Sequence, residues 1–137
     1  KAHYPIEKLF LIDAYKADDA LSCADNNSSG FCSRYITGST TKWSRHSFGL
    51  AIDINPRLNP YKKGDIVVPG NGKFFIDRSL NILGMIKKGD PCHQAFISRG
   101  WKWGGDWKER VDYQHFSKLL PAQAGRIEIR LQSGLVS

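Results

Sequence analysis

An acid stands in the middle of the chain's best-defined strand. Leu50-Ala51-Ile52-Asp53-Ile54-Asn55 alternates with a period of two: Leu50, Ile52 and Ile54 share one face, Ala51, Asp53 and Asn55 the other, and Pro56 ends the run. An ionised carboxylate in so aliphatic a strand is costly to bury unless it is paired or bound to a cation. The fold must therefore bring partners to Asp53. His46 lies seven residues earlier, which on one straight strand would point it to the opposite face. Gly49 lets the chain turn between them, so that His46 on a loop and Asp53 on the strand converge.

Asp112-Tyr113-Gln114-His115 offers a second acid–imidazole pair. A separation of three forbids both side chains on one strand face, which places Asp112 in the bend before a strand and His115 on it. Imidazole and carboxylate suit Zn²⁺, and a catalytic zinc keeps three protein ligands plus water. His46, Asp53 and His115 would supply two neutral nitrogens and one anionic oxygen, leaving Asp112 as the base that takes a proton from water. Either pair alone is a common accident; the wording around both gives them weight.

A chain of 137 residues, 41% hydrophobic, suits one domain over 1–137 around a single core. Strands and helices do not alternate regularly, which predicts α+β with an antiparallel sheet. Ile6–Tyr15 reads equally as strand or short helix, Asp18–Asn27 as a short helix, and Phe31–Thr37 as a strand ended by Gly38-Ser39. Residues 56–72 read as loop with turns around Ile66-Val67-Val68. Leu80–Lys88 and Gln94–Arg99 have helical spacing, Gly100 capping the latter, and Ile127–Leu131 alternates as a last strand. The longest apolar run, Leu9-Phe10-Leu11-Ile12, is far short of a membrane span, and with no charged-then-apolar leader a signal peptide is absent or removed.

The net charge of +7 invites a nucleic-acid reading, but the cations are scattered, no run exceeds the pairs Lys62-Lys63 and Lys87-Lys88, and no nucleic-acid module is present. The charge fits solubility or attraction to an anionic envelope. Cys23 and Cys32 bracket a polar loop that brings them within disulfide reach, leaving Cys92 free; three unpaired thiols is the alternative. A structural zinc on these cysteines and His93 lacks a close Cys-x-x-Cys pair.

Ser44-x-His46-x-x-Gly49-x-Ala51-x-Asp53, followed by Asp112-x-x-His115-Phe116, resembles the zinc D-alanyl-D-alanine carboxypeptidases. That family also includes L-alanyl-D-glutamate endopeptidases of bacteria and phages, and belongs with the hedgehog-type and lysostaphin-type α+β zinc folds. Tyr4-Pro5-Ile6, Asn26-Asn27-x-Ser29-x-Phe31, Arg34, Gly38-Ser39, Asn55-Pro56, Asn59-Pro60-Tyr61 and Gly100-Trp101-x-Trp103-Gly104-Gly105-Asp106-Trp107 extend the likeness over residues 4–118. The resemblance implies that His46, Asp53 and His115 ligate zinc, that Asp112 is the general base, and that Arg34 holds the substrate carbonyl or the developing oxyanion. Ser44 would orient the His46 turn and Ser39 line the substrate cleft.

The implied protein is a monomeric peptidase of peptidoglycan stem peptides, working in a bacterial periplasm, wall or exterior, or as a phage endolysin. D,D-carboxypeptidase action is favoured over L-alanyl-D-glutamate cleavage; a non-catalytic zinc-bearing wall-binding domain is the rival. Trp101, Trp103 and Trp107 read as packing residues rather than a sugar platform, and Gly104-Gly105 would let their loop approach the cleft closely. His3 and His93 match no ligand position, Asp77-Arg78 reads as an internal ion pair, and Tyr61 as a cleft wall.

Overall fold

The structure, a computed structural model, describes residues 3–119, and among these residues six strands of two or three residues and two short helices form the frame. The helices are Asp19–Ala24 (α1) and Pro91–Ile97 (α2). The strands are Ala51–Asp53 (β1), Tyr61–Lys63 (β2), Ile66–Val68 (β3), Lys102–Trp103 (β4), Val111–Asp112 (β5) and His115–Ser117 (β6). They form two three-stranded sheets, ordered β1-β6-β4 and β3-β2-β5, with every ladder antiparallel. The architecture is α+β, as the irregular order of apolar patterns predicts.

A single register sets the chemistry-bearing side chains apart from the core. In the β1–β6 ladder Asp53 faces His115 and Ile52 faces Phe116. Directly opposed antiparallel residues project to the same face. The acid and the imidazole thus share one side, while Phe116 turns to the other and is fully enclosed. There it stacks on Phe96 of α2 at 4.1 Å, within a cluster of Ile54, Ile86, Cys92 and Trp103.

Buried asparagines hold the connections. Asn59 Nδ2 donates to the carbonyls of Ile54, Asn55 and Gly84, and its Oδ1 accepts from Ile86 N. Asn26 Oδ1 accepts from Arg57 N and Leu58 N, and Asn27 bonds both the N–H and the carbonyl of Phe10. Each side-chain amide replaces a ladder or helix bond that an irregular segment lacks, satisfying backbone groups that would otherwise be buried unpaired.

Several expectations change. Residues 56–72 are not all loop, because β2 and β3 pair as a hairpin. Phe31–Thr37 is not a strand; Tyr35 makes a single bridge to Trp43. Leu80–Lys88 is not a helix, since its backbone groups are taken by Asn55, Asn59 and Arg78. α2 starts three residues before Gln94, where Asp90 accepts from His93 N at 2.7 Å and Pro91 occupies the first turn. Within Ile6–Tyr15, Ile12–Tyr15 forms a 3₁₀ turn, and Asp18–Asn27 holds α1. Ile127–Leu131 lies outside the described residues.

The Asp77–Arg78 ion pair is not formed. Asp77 accepts from Ser79, whereas Arg78 turns inward and donates to the carbonyls of Leu58, Phe75 and Ile86 and to Asn59 Oδ1. Its guanidinium carbon sits 4.3 Å from the centre of the Tyr113 ring. The Cys23–Cys32 disulfide is absent too: all three cysteines are free, buried thiols. Cys23 Sγ is directed toward Gln114 Oε1, 3.9 Å away, while Cys32 is held in another segment by its N–H bond to His46 O.

Candidate metal centre

His46 rides on a 3₁₀ turn, Arg45–Phe48, whose start is capped by Ser44: the Ser44 Oγ accepts from His46 N at 3.3 Å. Gly49 closes that turn with φ +67°, a left-handed conformation costly to a residue with a Cβ, and the chain passes into β1. The turn does what the spacing required. His46 Nε2 lies 3.2 Å from Asp53 Oδ2, His115 Nδ1 lies 3.1 Å from Asp53 Oδ1, and the two imidazole nitrogens are 3.3 Å apart. All three residues are buried, and one donor atom from each falls within 4.8 Å of the others.

The proton positions follow from the partners. His46 Nδ1 is 2.7 Å from Gly30 O, and a carbonyl only accepts, so Nδ1 carries the hydrogen and Nε2 is left with a lone pair toward Asp53 and His115. A second hydrogen bond that fixes the tautomer is the usual companion of a metal-ligating imidazole. Two imidazole nitrogens and a carboxylate crowded into a dry site are a donor set that fits a divalent ion such as zinc. Burial alone would raise the Asp53 carboxyl, but the flanking His46 and His115 hold it well below the usual carboxylate range. Burial likewise opposes a charge on His46, yet Asp53 outweighs it and raises that imidazole.

Asp112 occupies a strand of its own rather than the bend before His115. β5 pairs with β2, setting Tyr61 across from Asp112, and residues 113–114 turn the chain from one sheet to the other. Asp112 Oδ1 is enclosed with no hydrogen-bond partner among the described residues. Burial, reinforced by the negative charge of Asp53, pushes this carboxyl well above its ordinary value. Gly104 permits the arrangement: a Cβ there would lie 2.6 Å from Asp112 O and 3.3 Å from His115 Cβ.

A cleft of about 380 Å³ lies over these residues. Arg34 and Ser44 line it, as does Tyr61. Ser39 does not, because its Oγ is spent within its own turn, accepting from Thr41 N and Lys42 N. Trp107 is a cleft residue, its ring centre 5.4 Å from that of His115, whereas Trp101 and Trp103 pack in and against the core. His93 stays apart, edge-on to Trp103. Three further residues line the cleft that sequence pattern does not assign to it, Cys23 being read there only as a disulfide partner. Asp19 pairs with Arg34 Nε at 3.0 Å, and Cys23 lines the same wall four residues along α1, a helical spacing visible after the Asp18 cap. Arg110 is the third, and no periodicity marks it.

A family model described as D-alanyl-D-alanine carboxypeptidase matches residues 37–118. The chain belongs to this family. The matched segment of this carboxypeptidase-family chain contains His46, Asp53, Asp112 and His115, while Arg34 and its partner Asp19 precede it. No curated protein and no solved structure matches the chain significantly.

Proposed function

We propose that this chain is a zinc-dependent D-alanyl-D-alanine carboxypeptidase acting on peptidoglycan stem peptides, with residues 1–137 as one peptidase domain. One observation carries the reading: an unpartnered, proton-hungry Asp112 carboxyl faces the same cleft as the buried His46–Asp53–His115 cluster. His46, Asp53 and His115 would hold the metal, which when bound supplies a Lewis acid that acidifies water and draws charge from a carbonyl.

The chain's own groups do the rest. Asp112 accepts the proton of the attacking water and returns it to the leaving amine, a role suited to a carboxyl whose proton affinity has been raised. Arg34, steadied at Nε by Asp19, presents its guanidinium to charge developing on the scissile carbonyl. Ser44 acts from beneath, fixing the turn that carries His46. Such a substrate places the protein at the wall, in a periplasm or outside a cell, or in a phage lysin; among the described residues no helix is long and apolar enough to cross a membrane.

Purified peptidoglycan digested with and without chelator, its fragments identified by mass spectrometry, tests this. Chelator-sensitive release of free D-alanine is expected. A new D-glutamyl amino terminus would instead assign L-alanyl-D-glutamate endopeptidase action, and one bound equivalent of zinc with no cleavage would leave a wall-binding domain.

A further inference from the structure

The cleft holds more positive charge than its chemistry uses. Of its cations, Arg34 is paired with Asp19, and Arg45 donates to Lys118 O at 3.1 Å. Arg110, like Lys102, is exposed, lines the cleft and makes no ion pair among the described residues. It is nonetheless held in place. Its guanidinium carbon lies 5.1 Å from the centre of the Trp107 ring, and that ring sits 5.4 Å from the His115 imidazole. A guanidinium stacked on an indole keeps its in-plane N–H fork free, and the stack removes much of the rotamer freedom that an exposed arginine would lose on binding. None of the nearby acids pairs with it among the described residues: Asp106 is bound by Lys88 at 2.9 Å, Asp112 is turned into the site, and the adjacent Glu109 makes no ion pair.

We propose that Arg110, stacked on Trp107 at the cleft mouth, is a specificity-determining anchor for a substrate carboxylate close to the scissile bond. This rests on the peptidase reading above. Two ring spacings separate Arg110 from His115, and an extended peptide advances about 3.3–3.6 Å per residue, so the carboxylate lies within about three residues of the point of attack. Two carboxylates of a stem peptide satisfy that distance: the chain-terminal one and the free α-carboxylate of the D-glutamyl unit. An anchor that touches no reacting atom binds ground state and transition state alike, and shows in KM rather than kcat.

The test uses the zinc-loaded full chain and synthetic stem pentapeptides in two pairs. One pair differs by terminal acid against terminal amide, the other by D-glutamate against D-isoglutamine. The wild-type protein is expected to prefer the acid in one pair, about ten-fold in kcat/KM, and that pair identifies the carboxylate bound. Arg110→Gln abolishes the preference by raising KM for the acid with kcat held, Arg110→Lys keeps part of it, and Lys108→Gln, a charge change outside the cleft, leaves it intact. Equal effects of Arg110→Gln on acid and amide, or an undiminished preference, overturn the anchor while the peptidase reading stands. If the wild-type protein cleaves no stem peptide, both fall.

Discussion

Gly104→Ala adds one methyl group at the tightest point beside the candidate metal centre. Gly104 has no left-handed φ, so alanine can adopt its backbone, and the reduced freedom of the unfolded chain would by itself stabilise by about 0.4–1 kcal/mol. Sterics decide the sign. The new Cβ would stand 2.6 Å from Asp112 O, 2.9 Å from Asp112 Cβ and 3.3 Å from His115 Cβ. None of these is the end of a flexible side chain: Asp112 is tied to Tyr61 and His115 to Asp53 by their ladders. Relief therefore requires the sheets to part by several tenths of an ångström, an overpacking cost of about 1–3 kcal/mol. The net loss is about 1–2 kcal/mol, or roughly 3–8 °C in Tm for a chain of this length. Because Asp112 and His115 move, zinc affinity should fall about ten-fold or more. Urea denaturation of the metal-free protein and competition against a chromophoric chelator read the two effects. Gly70→Ala, with open space around the new methyl, is the control and should be neutral or slightly stabilising. Should Gly104→Ala match Gly70→Ala in both assays, the close approach does not constrain the site.

Asp112→Asn should lower turnover by about 10²–10⁴-fold while zinc still binds, whereas His115→Ala should lose both, as metal analysis beside a peptidase assay would show. Arg78→Met strands the carbonyls of Leu58, Phe75 and Ile86 without a donor, while Asn59 Oδ1 keeps only its bond from Ile86 N, and should cost about 3–5 kcal/mol in chemical denaturation; a loss below about 1 kcal/mol would contradict the structure. Burial pushes the Cys92 thiol up to about 12 and raises Cys23 and Cys32 as well, so a thiol reagent at mildly alkaline pH should find none in the native protein and three after non-reducing denaturation; one would reveal a disulfide. In the metal-free protein, Asp53, depressed, contributes stability that is lost as pH falls below the ordinary carboxylate value, while His46 and Asp112, both raised, contribute stability that is lost as pH rises through their folded-state values. Tm should therefore peak near the ordinary carboxylate value, about 4, without metal, fall above it first through Asp112 and then, beyond about 6.5, through His46, and hold to higher pH with zinc; a Tm rising steadily toward alkaline pH would overturn this assignment.

The convergence of His46 and Asp53 was legible because it needed only an acid out of place in an aliphatic strand and a glycine able to turn the chain before it. The close approach at Gly104 followed from the same kind of chemistry. What stayed hidden is what short elements do not write into periodicity. Two residues of β5 have no pattern, so Asp112 read as a bend on the way to His115 rather than as a member of a second sheet. Leu80–Lys88 carries helical spacing, yet its apolar side chains are met along an irregular path, where Asn59 and Arg78 supply the bonds a helix would have made internally. Asp77 and Arg78 are adjacent in sequence and oppositely charged, but the buried carbonyls gave the Arg78 donors more partners than one exposed carboxylate could. The pairing of Asp19 with Arg34 and the stack of Arg110 on Trp107 join side chains whose meeting only the tertiary fold decides.

The buried asparagines bear on where this molecule resists opening. In most domains the slowest-exchanging amides belong to long strands and helices, and connections exchange early. Here the amides of Phe10, Arg57, Leu58 and Ile86 lie in irregular segments and end on enclosed asparagine oxygens. Deuterium should enter these positions only when the whole domain unfolds, while the exposed β2–β3 hairpin exchanges sooner. The parts of this chain that look like loops on a topology diagram would then be its most persistent structure, letting strands of two or three residues hold a buried His–Asp–His cluster in register.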